Sequence, residues 1–274
     1  QKLFDLLPAA YTGAVEEIKK ELNSLVGLGP VKEYVFGLAD NLEVQQRRAA
    51  AGRKTASLSM HMIFTGNPGT GKTTIARLIP RFFDVQAGAV LLGGRDVRSI
   101  PTAELMEQIS FVFQEVRLFK KSIRDNIRAA RPDATEAEIL HAAQLAQCSD
   151  ILEKTPGGLD AVIGAKGVYL SGGEMQRIAL ARAILKDAPI VVLDEASSFA
   201  DPENEAKIQK AFEALMKGKT VLMIAHRLST IREADVILVM KDGHIVEQGD
   251  HDTLLAQGGF YAKLYNSQFE GVET

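Results

Sequence analysis

The chain has 274 residues, 46% hydrophobic and 24% charged, the balance of a soluble globular protein rather than of a disordered or fibrous one. Lys plus Arg (32) against Asp plus Glu (35) leaves a net charge of −3, which gives no pull towards nucleic acid or an acidic membrane surface, and no apolar run reaches the ~18 residues of a membrane-spanning helix. The single cysteine, Cys148, excludes an internal disulfide and fits a reducing, cytoplasmic compartment, while Gln1 opens the chain without a signal peptide, so it reads as a fragment or an assembled chain.

In chain order, Ile18, Leu22 and Leu25 predict an amphipathic helix over 14–25. A break at Val26-Gly27-Leu28-Gly29-Pro30 is followed by a second stripe, Val31, Val35, Leu38 and Leu42, that ends near Gly52. Arg47, Arg48, Arg53 and Lys54 read as a solvated helix end in preference to a binding patch. Residues 60–65 predict a short buried strand, followed by a glycine-rich loop and a helix from Ile75 to about Phe82. Two short strands are expected within 88–98 and another at 109–114, with mostly helices and loops from about 120 to 165. Strands at 190–194 and 220–225 and a hairpin over 236–248, turning at Asp242-Gly243, complete the pattern. Strands that alternate with helices predict an α/β fold with a mostly parallel sheet.

The loop from Gly66 to Thr73 matches GxxxxGK[ST], between a predicted strand and a predicted helix. Its glycines let main-chain N–H groups turn inward around a phosphate, and the helix N-terminus adds the positive end of its dipole. Asn67, Pro68, Gly69, Thr70, Gly71, Lys72, Thr73 and Thr74 are therefore expected to hold the phosphates of ATP or ADP, with Lys72 on the β- and γ-phosphates and the Thr73 hydroxyl on Mg²⁺. Downstream, the apolar run Ile190–Leu193 ends in Asp194 and Glu195. Asp194 suits the same Mg²⁺, and Glu195 can orient or deprotonate an attacking water. Ser171, Gly172 and Gly173 open a long predicted helix through Ala183 and read either as a second anion-binding turn, which implies a nucleotide shared between two chains, or as plain helix capping.

From about Arg81 to Phe269 the sequence resembles the nucleotide-binding domain of ABC transporters, the exporter group in particular. The motifs are LSGGE at 170–174, Asp194-Glu195, Ser198-Phe199-Ala200-Asp201 and the run His226-Arg227-Leu228-Ser229-Thr230-Ile231. The resemblance implies a three-layer αβα P-loop NTPase with a helical subdomain over about 115–180. It also implies a signature motif at 170–174 and Gln114 as the glutamine that contacts Mg²⁺ and a transmembrane partner absent from this chain. Glu195 would be the catalytic glutamate and His226 the switch histidine at the γ-phosphate. ATP would drive a head-to-tail homodimer in which Ser171 to Gly173 of one copy close over the nucleotide of the other. The chain departs from the usual pattern at Phe199-Ala200, at Glu174 in place of glutamine, and at Ala165 in place of glutamate.

Residues from about 20 to 79 resemble instead the start of an AAA+ ATPase, close to the rubisco-activase and sporulation-protein group, in which the loop matching Val26, Gly27 and Leu28 lines the adenine pocket. The expectation is a chimeric P-loop ATPase, AAA+-like over 1–79 and ABC-like over 80–274, with its junction in the helix 73–82. It would bind ATP or ADP with Mg²⁺ and turn over weakly. A folded scaffold without activity, an ATPase subunit of an ABC transporter and an AAA+ ring motor are the alternatives.

Overall fold

The computed structural model describes residues 61–85, 87–164, 167–194, 202–224, 231–232 and 234–269. The two helices expected over 14–25 and from 31 to near 52 lie outside these residues.

Six strands form one sheet in the order β4-β5-β6-β1-β7-β8. They are β1 (His61–Gly66), β4 (Ile109–Val112), β5 (Ile190–Asp194), β6 (Thr220–Ile224), β7 (Val236–Lys241) and β8 (His244–Gly249). The first five are parallel, and β8 alone runs antiparallel, against β7. The β7–β8 turn is Asp242-Gly243, with φ +50° and +79°, the left-handed pair that a tight hairpin requires. The region expected as strand over 88–98 forms only a two-stranded ribbon, β2 (Leu91–Leu92) and β3 (Arg95–Asp96), separate from the main sheet.

The parallel strands are apolar on both faces because both faces are covered. Ile63, Val191, Leu193, Val221, Met223, Ile237 and Val239 point into one core, while Phe64, Val192, Leu222, Ile224 and Met240 point into the other. The second core is closed by α1 (Lys72–Leu78) and α2 (Thr102–Gln108), through Ala76 and Leu105. The first is closed by α6 (Gly172–Lys186) and α7 (Pro202–Met216), through Ile178, Leu185, Ile208 and Leu215. Each of the larger side chains, Leu, Ile, Val, Phe or Met, contributes ~1.5–3 kcal/mol by leaving water.

Between β4 and β5 the chain makes α3 (Ile123–Arg128), α4 (Glu136–Leu145) and α5 (Ser149–Lys154). Ile123, Ile127, Ile139, Ala143 and Ile151 bury against α6 in the first core. After β8, α8 (His251–Ala256) and α9 (Phe260–Phe269) finish the described chain. Glu247 of β8 fastens α9 by accepting the main-chain N–H groups of Phe260 and Tyr261. Where an element is expected among the described residues its type agrees, while the bounds differ: α1 stops at Leu78 rather than Phe82, β4 at Val112 rather than Gln114, and α6 runs on to Lys186; the helices α2, α7, α8 and α9 are not among those expected.

Candidate nucleotide-binding site

The loop between β1 and α1 sits at the C-terminal edge of the sheet, where parallel α/β folds place ligands. Gly66 pairs with Met240, so a Cβ at Gly66 would stand 2.1 Å from the Met240 carbonyl oxygen, and its φ of +137° favours glycine as well. Gly69 and Gly71 also have positive φ, +78° and +92°, and no atom lies within 4 Å of where a Cβ on Gly69 would be. The Thr70 hydroxyl donates to the Asn67 carbonyl at 2.9 Å and closes the turn.

Lys72 is 5% exposed. Its Nζ donates to the carbonyl oxygens of Gly66 and Asn67, both at 2.8 Å, so the cation lies inside the loop rather than on the surface. Burial draws its pKa down from the usual lysine range, and an anion in the loop would oppose that shift.

The Thr73 hydroxyl donates to Asp194 Oδ1 at 3.2 Å. Asp194 is buried at the end of β5, and Arg77 Nη2 stands 3.9 Å from its other oxygen. The loop and the acidic strand end, 121 residues apart in sequence, are thus joined directly. A hydroxyl and a carboxylate side by side, next to a phosphate-sized loop, are the hard oxygen donors that Mg²⁺ takes together with phosphate oxygens, so these residues fit the ion.

Glu195 and His226 lie outside the described residues. The strands that lead to them end together: Asp194 pairs with Ile224, so the two positions follow neighbouring strand ends by one and two residues. Gln114 is exposed two residues past β4, whose Val112 pairs with Leu193. It borders a cavity of about 760 Å³ lined by Arg77, Phe111, Phe113, Arg182 and Lys186. Arg182 is fixed there by bonds to the Asn126 carbonyl and side chain at 2.8 and 3.1 Å. Val26, Gly27 and Leu28 lie outside the described residues.

Ser171 caps α6. Its hydroxyl accepts the Glu174 N–H at 3.3 Å, and the Glu174 carboxylate accepts the Ser171 N–H at 2.8 Å, a reciprocal capping box. Capping is therefore real at this turn, and Ser171 and Gly172 nevertheless stay exposed while Gly173 is buried. Glu174 also pairs with Lys154; burial works against its ionised form, but that lysine and the Ser171 amide outweigh it and hold its pKa below the usual glutamate value.

Several site residues escape motif reading. Arg77 has only its place in the last turn of α1 to mark it. Behind the signature turn, buried Arg177 donates to Asp150 at 2.6 and 3.2 Å, to the Gln147 carbonyl, and to Asn204 at 3.0 Å. Lys207 donates to the same Asp150 at 2.9 Å. A fully buried arginine is never unpaired without heavy cost, but nothing in the sequence says which acid it meets.

The sequence model of the ABC transporter family matches residues 55–198. That match begins before the phosphate loop and runs through it, so the AAA+-like part expected over about 20–79, and with it the chimera, finds no support. Among curated relatives, the ATP-dependent lipid A-core flippase of Syntrophus aciditrophicus (strain SB) is 51% identical over 207 residues, 76% of this chain and 34% of that protein. The flippase of Haemophilus ducreyi (strain 35000HP / ATCC 700724) is 52% identical over 205 residues, 74% of this chain and 35% of the relative. The chain thus spans about a third of the length of the curated relatives it matches. A solved bacterial Atm1-family ABC exporter with ATP bound superposes with a TM-score of 0.71 at 39% identity, over 76% of this chain and 36% of that one. A P-loop αβα fold, a phosphate loop joined to its acidic strand and a family match over more than half the chain lead to one conclusion: the chain belongs to the ABC transporter family.

Proposed function

We propose that the chain is the ATP-hydrolysing domain of an ABC exporter and that it works as a pair of copies. The observation that carries this reading is the hydrogen bond from Thr73 to Asp194 beside the internally held Lys72. ATP would take the place of the Gly66 and Asn67 carbonyls as the partner of Lys72, while main-chain N–H groups from Gly69 to Thr74 receive the β-phosphate. Thr73 and Asp194 would hold Mg²⁺, with Gln114 as a further ligand. The bound ion would offset the charge that builds on the phosphate oxygens.

In hydrolysis the water oxygen bonds to the γ-phosphorus, the bond to the bridging oxygen of ADP breaks, and Glu195 accepts the water's proton. His226 would donate to the γ-phosphate. Ser171, Gly172 and Gly173 of the second copy would close over the same phosphate, with the positive end of the α6 dipole towards it. The cavity beside Gln114, with Phe113 exposed at its rim, would receive the transmembrane part of the exporter. The names of the curated relatives point to a lipid as the cargo of the whole transporter.

Titration calorimetry with Mg-ATP tests the site. Replacing Lys72 by alanine removes a charged donor worth ~2 kcal/mol, so Lys72→Ala should weaken binding about 30-fold. Glu195→Gln should bind normally and not turn over. Equal affinity for the parent and Lys72→Ala would overturn the assignment.

A further inference from the structure

The signature helix is held from behind by a clamp that neither the phosphate loop nor its acidic strand uses. Gly173 and Arg177 lie one turn apart on the same face of α6. Asn204, in the first turn of α7, meets both. Its Cβ and Cγ stand 3.2 Å from where a Cβ on Gly173 would be, and its Oδ1 accepts Arg177 Nη2 at 3.0 Å. The same guanidinium is forked onto Asp150 of α5, at 2.6 and 3.2 Å, and reaches the carbonyl of Gln147. Lys207, one turn beyond Asn204 on α7, donates to Asp150 at 2.9 Å. Three helices therefore meet at one buried arginine. Burial alone would raise the Asp150 pKa, yet the bonds from Arg177 and Lys207 win and bring it down to about 2, so the clamp is ionised throughout the physiological range.

The arrangement has a directional consequence. The capping box fixes Ser171 and Glu174 to each other, which shapes the turn but does not place it relative to the sheet. Asn204 supplies that second constraint, because it fills the space where a side chain on Gly173 would stand and belongs to the helix that follows the Asp194 strand in the chain.

We propose that Asn204 is a positioning residue for the signature turn: through Gly173 and Arg177 it sets Ser171 to Gly173 at the height needed to meet a nucleoside triphosphate carried by a second copy of the chain. This inference rests on the paired-copy reading above. Asn204 does not touch nucleotide itself. It leaves binding in its own phosphate loop alone and acts on the step that needs both copies.

The test compares Asn204→Ala with Asn204→Asp, which keeps the size of the side chain and an acceptor oxygen for Arg177. Three quantities are measured on each full chain: Mg-ATP affinity by calorimetry, turnover at saturating ATP, and amide hydrogen exchange by mass spectrometry. For Asn204→Ala, affinity should stay within about twofold of the parent. Turnover should fall about tenfold, the worth of one buried hydrogen bond to a charged group, and exchange over residues 173–177 should accelerate while residues 69–74 keep their rate. Asn204→Asp should recover most of the turnover and the slow exchange, which a loss of general stability would not. Unchanged exchange over 173–177 in Asn204→Ala, unchanged turnover, or an Asp variant as impaired as the Ala variant each overturns the inference. A parent chain that binds no Mg-ATP overturns the assigned function instead, and the exchange comparison still judges the clamp.

Discussion

The phosphate loop and the signature turn have the same purpose in outline, main-chain N–H groups offered at the start of a helix, and they are held in different ways. The loop is held by contacts among its own few residues. Lys72 bonds to carbonyls five and six residues away, Thr70 to one three residues away, and glycine conformation supplies the rest. The signature turn is placed by side chains from afar: Arg177 meets Asp150 and Asn204, each 27 residues distant, and Lys207 reaches Asp150 across 57. A loop held by near neighbours in sequence depends mainly on local sterics, whereas a turn placed by ion pairs from other helices depends also on the ionisation of a distant carboxylate.

The sharpest way to break this contrast is at Gly66. A methyl group there meets the Met240 carbonyl at 2.1 Å, backbone against backbone, with nothing flexible to yield. Gly66→Ala should cost ~3 kcal/mol or more and lower the melting temperature by roughly 6–12 °C by calorimetry. A shift under a degree would mean the loop is not set by its neighbour strand.

Acid should act on the other region. The Asp150 carboxyl has its folded pKa depressed to about 2 from an ordinary 3.8. The stability it gives is fully present above the ordinary value and is lost as pH falls from about 4 towards 2. With the side chain 41% exposed, solvent screening reduces the effect to ~1 kcal/mol. Urea midpoints at pH 6 and pH 3 should therefore fall more steeply for the parent than for Asp150→Asn. Parallel falls would remove Asp150 from the clamp.

A smaller effect is expected at Glu174, where the usual residue of the family is glutamine. Glu174→Gln keeps an oxygen for the Ser171 N–H and loses only the charge opposite Lys154, itself 56% exposed. The loss should be ~0.5 kcal/mol in urea unfolding. A loss several times larger would show that the Lys154 pair, rather than the cap, holds the turn.

The same division explains what the sequence makes legible. Gly66 to Thr73, the run Ile190–Asp194 and the turn Asp242-Gly243 are local patterns whose physics is contained in a few neighbouring residues, and each stands where expected. The strand order is not local, and neither is the Arg177 clamp, since a buried arginine meets its acid only once α5, α6 and α7 have packed. The ribbon Leu91–Asp96 fell short of the strands expected over 88–98 because glycines at 93 and 94, with φ +56° and +77°, turn the chain after two residues. The AAA+ resemblance over about 20–79 rests on such a local phrase around the phosphate loop, and the ABC transporter family match spans that loop.

The central claim is that Thr73 and Asp194 form one magnesium–nucleotide site with Lys72. Calorimetric titration of ATP into the parent and into Asp194→Asn, each with Mg²⁺ and with EDTA, tests it most directly. The account predicts that magnesium tightens ATP binding about tenfold in the parent and has little effect in Asp194→Asn, since a charged oxygen ligand is worth ~1.5–3 kcal/mol. An equal magnesium dependence in both proteins would contradict it.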